Sequence, residues 1–139
     1  MRKLPVLSTA LLVIVLSSLF LSACTPAQPE IRLEVDQIDL GEVLQGEILK
    51  REVRLMNEGG APLEIFSLST SCGCTTASVD TTDISPGESA LLTIEYDSGA
   101  HEVENDVSVH RQIFIATNDP VHPEVVINLI AEVVIELEN

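Results

Sequence analysis

Two thiols one residue apart, in Ser71-Cys72-Gly73-Cys74-Thr75, are the residues of this chain best suited to chemistry. Residues i and i+2 of an extended strand share a face, but a disulfide needs its Cα atoms about 4.4–6.8 Å apart, so closing this pair calls for a bend. Gly73 offers the backbone freedom for one. A ring so small adds little stability and is expected to be strained and easily reduced. Three readings follow. The pair braces a tight turn, as packed thiols or an inert bridge; it exchanges with other thiols; or it binds a soft metal as thiolates, for which Cu(I) is the natural ion. The exchange reading lacks the Cys-x-x-Cys at a helix start that lowers a thiol pKa. The metal reading needs His101, His110 or His122 beside the sulfurs, and spacing alone does not bring them there.

Other chemistry has less support. The chain contains no Ser-His-Asp signature, glycine-rich phosphate loop or HExxH. Glu102, Glu104, Asn105 and Asp106 form an acidic group without EF-hand spacing, and read as a solvated loop. Sugar and single-strand binding use aromatic platforms, whereas the chain after its leader carries only Phe66, Tyr96 and Phe114, two of them on strands that need core. No catalytic residue and no cofactor is assigned.

The third cysteine belongs to the N-terminus. Arg2 and Lys3 precede an apolar run from Val6 to Phe20, and Leu21-Ser22-Ala23-Cys24 follows. This reads as an export signal over 1–23 and resembles the bacterial lipobox, in which the cysteine sulfur is diacylated and the chain is cut before it. The run is short for a spanning helix, which needs about 20 residues. Cys24 is therefore expected to be the lipidated N-terminus, with 24–29 as a short tether. Beyond the cut, five basic residues face 22 acidic ones, a net charge of −17. Such a surface repels nucleic acid and anionic headgroups, leaving the acyl chains to hold the membrane. The expected address is the cell envelope outside the cytoplasm, and the outer membrane where there is one, since Thr25 stands where an inner-membrane retention aspartate would.

The elements that must position Cys72 and Cys74 are strands, because apolar residues recur with a period of two from residue 30 onward. Ile31, Leu33 and Val35 mark a first strand, which Ile38–Val43 continues after a break. Ile48–Asn57 forms a second, and Leu63 and Ile65 lead a third into the cysteine motif. Ser85-Pro86-Gly87-Glu88 has the proline and glycine of a type II turn. Ala90, Leu92, Ile94 and Tyr96 share one face of the next strand. Val109, Ile113 and Ile115 do so on a strand ended by Asn118-Asp119-Pro120, and Val125 to Leu137 alternate along the last. About seven short strands predict an all-β fold, an antiparallel immunoglobulin-like β-sandwich over 30–139.

The order of the turns carries a resemblance. Asn57-Glu58-Gly59-Gly60-Ala61-Pro62-Leu63, then Ser71-Cys72-Gly73-Cys74-Thr75, Pro86-Gly87-Glu88-Ser89 and Thr117-Asn118-Asp119-Pro120 are similar to a bacterial exported family named only as a domain of unknown function, with SCGCT as its hallmark. The resemblance implies a fold like the Hydin-type immunoglobulin-like domains and an envelope setting, and supplies no activity. The expected function is a lipid-anchored, non-enzymatic module that binds an envelope protein through loops or a strand edge. The alternative is a thiol redox or Cu(I)-handling protein working through Cys72 and Cys74.

Overall fold

In the computed structural model, residues 26–135 are described; Cys24 and Leu137 lie outside them. Alternating apolar residues form nine strands, and no helix occurs among the described residues. They are β1 (Ile31–Leu33), β2 (Gln37–Leu44), β3 (Ile48–Asn57), β4 (Leu63–Thr70), β5 (Thr75–Val79), β6 (Asp83–Ile84), β7 (Ser89–Asp97), β8 (Val107–Thr117) and β9 (Glu124–Val134). One sheet runs β1-β3-β7-β5 and the other β2-β9-β8-β4-β6. The inward residues of both sheets, among them Leu55, Leu92, Ile94, Ile113, Ile115, Ile127 and Leu129, form one apolar core. Fully burying such a side chain contributes about 1.5–3 kcal/mol, so this β-sandwich holds together without tryptophan or an inter-sheet disulfide.

The all-β sandwich agrees with the alternation, with three departures. The expected first strand is two: β1 ends at Leu33, Val35 is exposed, and the chain crosses to the other sheet before β2. β5 and β6 are strands that the alternation did not mark. Finally, β2 pairs with β9 in parallel, whereas the other pairings are antiparallel. The alternation of a strand fixes its faces and not the direction of its neighbour.

Two buried polar side chains tie the N-terminal segment to the sandwich. Asn57 Nδ2 donates to the carbonyls of Ala61 (2.8 Å) and Ile84 (2.9 Å), while its Oδ1 accepts from the backbone N–H of Gly59 (3.0 Å) and Glu30 (3.3 Å). The 57–60 turn pairs with the incoming chain through Gly60 N to Gln28 O and Glu58 N to Glu30 O, both 2.9 Å. The approach is so close that a Cβ on Gly59 would collide with the backbone of Gln28 and Glu30. At the 85–88 turn, Gly87 takes φ +80° and Glu88 N donates to Ser85 O at 3.0 Å, as the type II reading requires.

Asp119 is the second tie. Its Oδ2 accepts from Ile31 N (2.9 Å), and its Oδ1 accepts from Val121 N (2.8 Å) and His122 N (3.1 Å). Burial alone would raise this carboxyl, but the N–H donors of Ile31, Val121 and His122, helped by the nearby His122 ring, outweigh it and hold the pKa below its ordinary value of 3.8. The stabilisation is thus fully present above the ordinary value and is lost as pH falls through the depressed one. Asp119→Asn is expected to lower stability at neutral pH by about 2–3 kcal/mol, because an amide offers one acceptor where two are used. Urea titrations across pH 2–7 check this: the difference between variant and wild type should shrink in acid.

Candidate functional site

The cysteine motif sits where the chain leaves one sheet for the other. β4 belongs to the five-stranded sheet and β5 to the four-stranded one, and residues 71–74 form the turn between them. Both sheets grip this turn. Ser71 N donates to Gln112 O (2.9 Å) and Gln112 N donates to Ser71 Oγ (2.9 Å), which fixes it to β8. Asp97 N donates to Cys74 O (2.8 Å), which fixes it to the end of β7. Thr70 Oγ1 shares its proton between the carbonyls of Cys72 (3.0 Å) and Thr75 (2.9 Å), closing the turn from inside.

Cys72 and Cys74 form a disulfide across a Cα separation of 5.2 Å. The bend the bridge requires is present, but Gly73 is not in the left-handed region, and a Cβ there would meet no atom within 4 Å. The turn is set by its hydrogen bonds rather than by glycine. The two sulfurs differ in setting. Cys72 is half-buried and its Sγ accepts from Cys74 N at 2.9 Å. Cys74 is only 4% exposed and joins the core.

Arg111 is the residue that the motif did not reveal. It lies on β8 and its Nε donates to Cys74 Sγ at 3.1 Å, while its Nη1 donates to His110 O at 2.9 Å. Val109, Arg111, Ile113 and Ile115 keep the same period, so Arg111 is a charge on the inward row of the strand, between Val109 and Ile113. The residues 24–139 include five cations; Arg32, Lys50, Arg51 and Arg54 lie on β1 and β3, and the fifth is on the disulfide. A cleft of about 240 Å³ opens beside it, lined by Cys74, Tyr96, His101, Val103, Val107 and Arg111. Burial pushes the Tyr96 phenol above its ordinary value; the Arg111 charge opposes the shift and Asp97 adds to it. Tyr96 therefore stays neutral at physiological pH.

The three histidines part company. His101 lines the Cys74 cleft, His110 borders a groove with Ser71 and Gln112, and His122 lies near Asp119, with Nδ1 3.5 Å from Oδ2. No group of three or more His, Cys, Asp or Glu side chains able to hold a metal occurs among the described residues. With both sulfurs bonded to each other, neither is a thiolate available to Cu(I). In the acidic loop, Asp106 Oδ1 accepts from Ile135 N at 3.2 Å. The aromatic residues also divide: Tyr96 is core, whereas Phe66 is 63% exposed and Phe114 stands on the outward row of β8.

Residues 31–133 match a family described as a protein of unknown function, DUF1573. The chain belongs to that family. A protein of unknown function from Porphyromonas gingivalis W83 is 34% identical, with a TM-score of 0.70, over 81% of this chain and 51% of that one. The DUF1573 chain thus spans about half the length of that solved relative. The Escherichia coli chaperone DraB (13% identity, TM-score 0.53, 74% and 54% covered) and a PapD-like domain of human CEP192 (8%, 0.51, 81% and 89%) share the fold alone. No curated protein matches.

By the chain-entropy relation, a three-residue ring contributes no more than about 2 kcal/mol. Cys72→Ala/Cys74→Ala is accordingly expected to fold and to lose about 2 kcal/mol or less in urea. Intact mass after alkylation should show no label on Cys72 or Cys74 of the purified, air-oxidised chain and two labels after reduction.

Proposed function

We propose that this DUF1573 protein is a lipid-anchored envelope module that binds an extended, uncharged segment of another envelope protein at the edge of β4. The observation that carries this reading is Phe66, 63% exposed at a β-bulge, with a patch of uncharged residues beside it. Around it stand Ser67 and Ser69 of β4, Phe114 and Ala116 paired with them on β8, and Val126 and Asn128 on β9. In a chain with 22 acidic residues, such a patch is the surface that a partner can cover without burying unpaired charge. Carboxylates of the same sheet face stand around the patch, Glu64 on β4, Glu124 and Glu132 on β9 and Asp39 and Glu42 on β2, while the outer rows of the opposite sheet carry Arg32, Lys50, Glu52, Arg54 and Glu95, with Lys50 and Glu95 paired at 2.6 Å.

Strand addition supplies the mode. β6 covers only Leu63 and Glu64 of β4, so from Phe66 onward that edge has no strand partner among the described residues. An open edge offers backbone hydrogen bonds to an incoming strand, and Phe66 offers an apolar anchor beside them. Cys24 carries the acyl chains in this reading, and the short stretch to Gln28, which is already bonded to Gly60, holds the domain close to the bilayer.

A photo-crosslinking residue at position 66 of the full chain, expressed in its own cells, is expected to give a discrete protein adduct. The same residue at Thr76, on the outer row of the other sheet, should give none. Equal adducts at both positions, or none at 66, would contradict the docking site. Cys24→Ala should release the chain from the membrane fraction; a variant that stays there would contradict the anchor.

A further inference from the structure

We infer that Cys72–Cys74 is a thiol–disulfide exchange site for a cysteine-bearing polypeptide, in which Cys72 is the sulfur attacked and Cys74 the sulfur released onto Arg111. The inference stands on the geometry at the sulfurs and does not depend on where a partner docks. Exchange proceeds by attack of a thiolate on one sulfur of a disulfide, in line with the bond, while the other leaves as a thiolate. The bridge is asymmetric in both respects. Cys72 is half-buried and reachable, whereas Cys74 is 4% exposed with the core behind it. The leaving sulfur is therefore the inner one, and the Arg111 guanidinium stands 3.1 Å from it. Thr75 Oγ1 lies 3.8 Å from the same atom and is free to turn its proton toward an anion. A cation and a hydroxyl already in place stabilise the charge as it forms, without rearrangement.

An inert bridge has no use for this arrangement. A charged side chain on the inward row of β8 costs desolvation, and a neutral disulfide sulfur is a poor acceptor that offsets little of it. Among the contacts of the Arg111 side chain, only a thiolate at Cys74 would match the guanidinium charge at hydrogen-bonding distance.

The step balances as follows. A partner thiolate bonds to Cys72 Sγ as the Cys72–Cys74 bond breaks, giving a mixed disulfide and the Cys74 thiolate. A second thiolate of the same partner then attacks its own sulfur in the mixed disulfide and releases the Cys72 thiolate. The partner dithiol is oxidised to a disulfide, the cysteine pair is reduced, and two electrons pass per chain. The exchange is stoichiometric, and it reverses with a partner of opposite poise.

Two measurements on the folded full chain test this. The wild-type protein is treated with a synthetic peptide bearing one cysteine, quenched by rapid alkylation and mapped by fragment mass. The peptide is expected on Cys72 and the alkyl group on Cys74; the peptide on Cys74, or on neither until the chain is unfolded, would overturn the inference. Reduction by dithiothreitol under native conditions is expected to slow about tenfold or more in Arg111→Met and to recover in part in Arg111→Lys. An unchanged rate in an Arg111→Met chain of wild-type melting temperature would also overturn it. The mapping needs only the wild-type chain, so it decides the matter even where Arg111→Met does not fold.

Discussion

The register of β8 is the constraint from which the rest of this structure follows. β8 pairs with β9 from Val107 to Ala116 and with β4 over its second half, which makes it the middle strand of the five-stranded sheet. Its inward row supplies Val109, Ile113 and Ile115 to the core and Arg111 to the disulfide. Its outward row supplies Gln112 and Phe114 to the patch beside Phe66. A slip of one residue would exchange the two rows, burying Gln112 and Phe114 and turning Arg111 to water. One pairing therefore decides the core, the charge at the sulfur and the face open to a partner.

The two ends of the sandwich use their buried polar groups differently. At the end near the incoming chain, Asn57 and Asp119 are fully engaged by backbone partners and act as ties. At the cysteine end, Ser98 is a tie of the same kind, with its Oγ 2.7 Å from Leu44 O and accepting from Glu47 N at 2.9 Å. Arg111 is different, because its Nε meets a sulfur rather than an oxygen or a carboxylate. Saturated hydrogen bonding describes structural polar groups well. A cation resting on a redox-convertible atom is a group whose best partner exists only after the bond opens.

The fold was legible because its long strands alternate over one-sided sheets, from Val53 and Leu55 on β3 to Ile127, Leu129 and Val133 on β9. What escaped was short or small. β5 reads Thr-Thr-Ala-Ser-Val, with Thr75 rather than a large apolar residue buried at its start, and β6 is two residues long. The parallel pairing of β2 with β9 depends on contacts distant in sequence, and no periodicity reports it. At the site, the cysteines were evident from spacing and Arg111 was not, although a trace of it existed. Counting on by two from Val107 and Val109 reaches an arginine before Ile113 and Ile115. Asn57 after Val53 and Leu55, and Thr117 after Ile115, break their rows in the same way. In each case the polar residue on a core row turned out to be buried or pressed against a buried partner.

In the proposed exchange, a disulfide gripped by both sheets, half-buried at Cys72 and backed by a cation at Cys74, opens without loss of the fold. The redox state of Cys72 and Cys74 in the living envelope tests this most directly. Cells are quenched in acid and free thiols labelled; the disulfides are then reduced and labelled with a second mass. The account predicts two populations of the chain, bridged and dithiol, whose ratio shifts when a membrane-impermeant dithiol is added to the cells. A chain that stays wholly bridged under both conditions would contradict it.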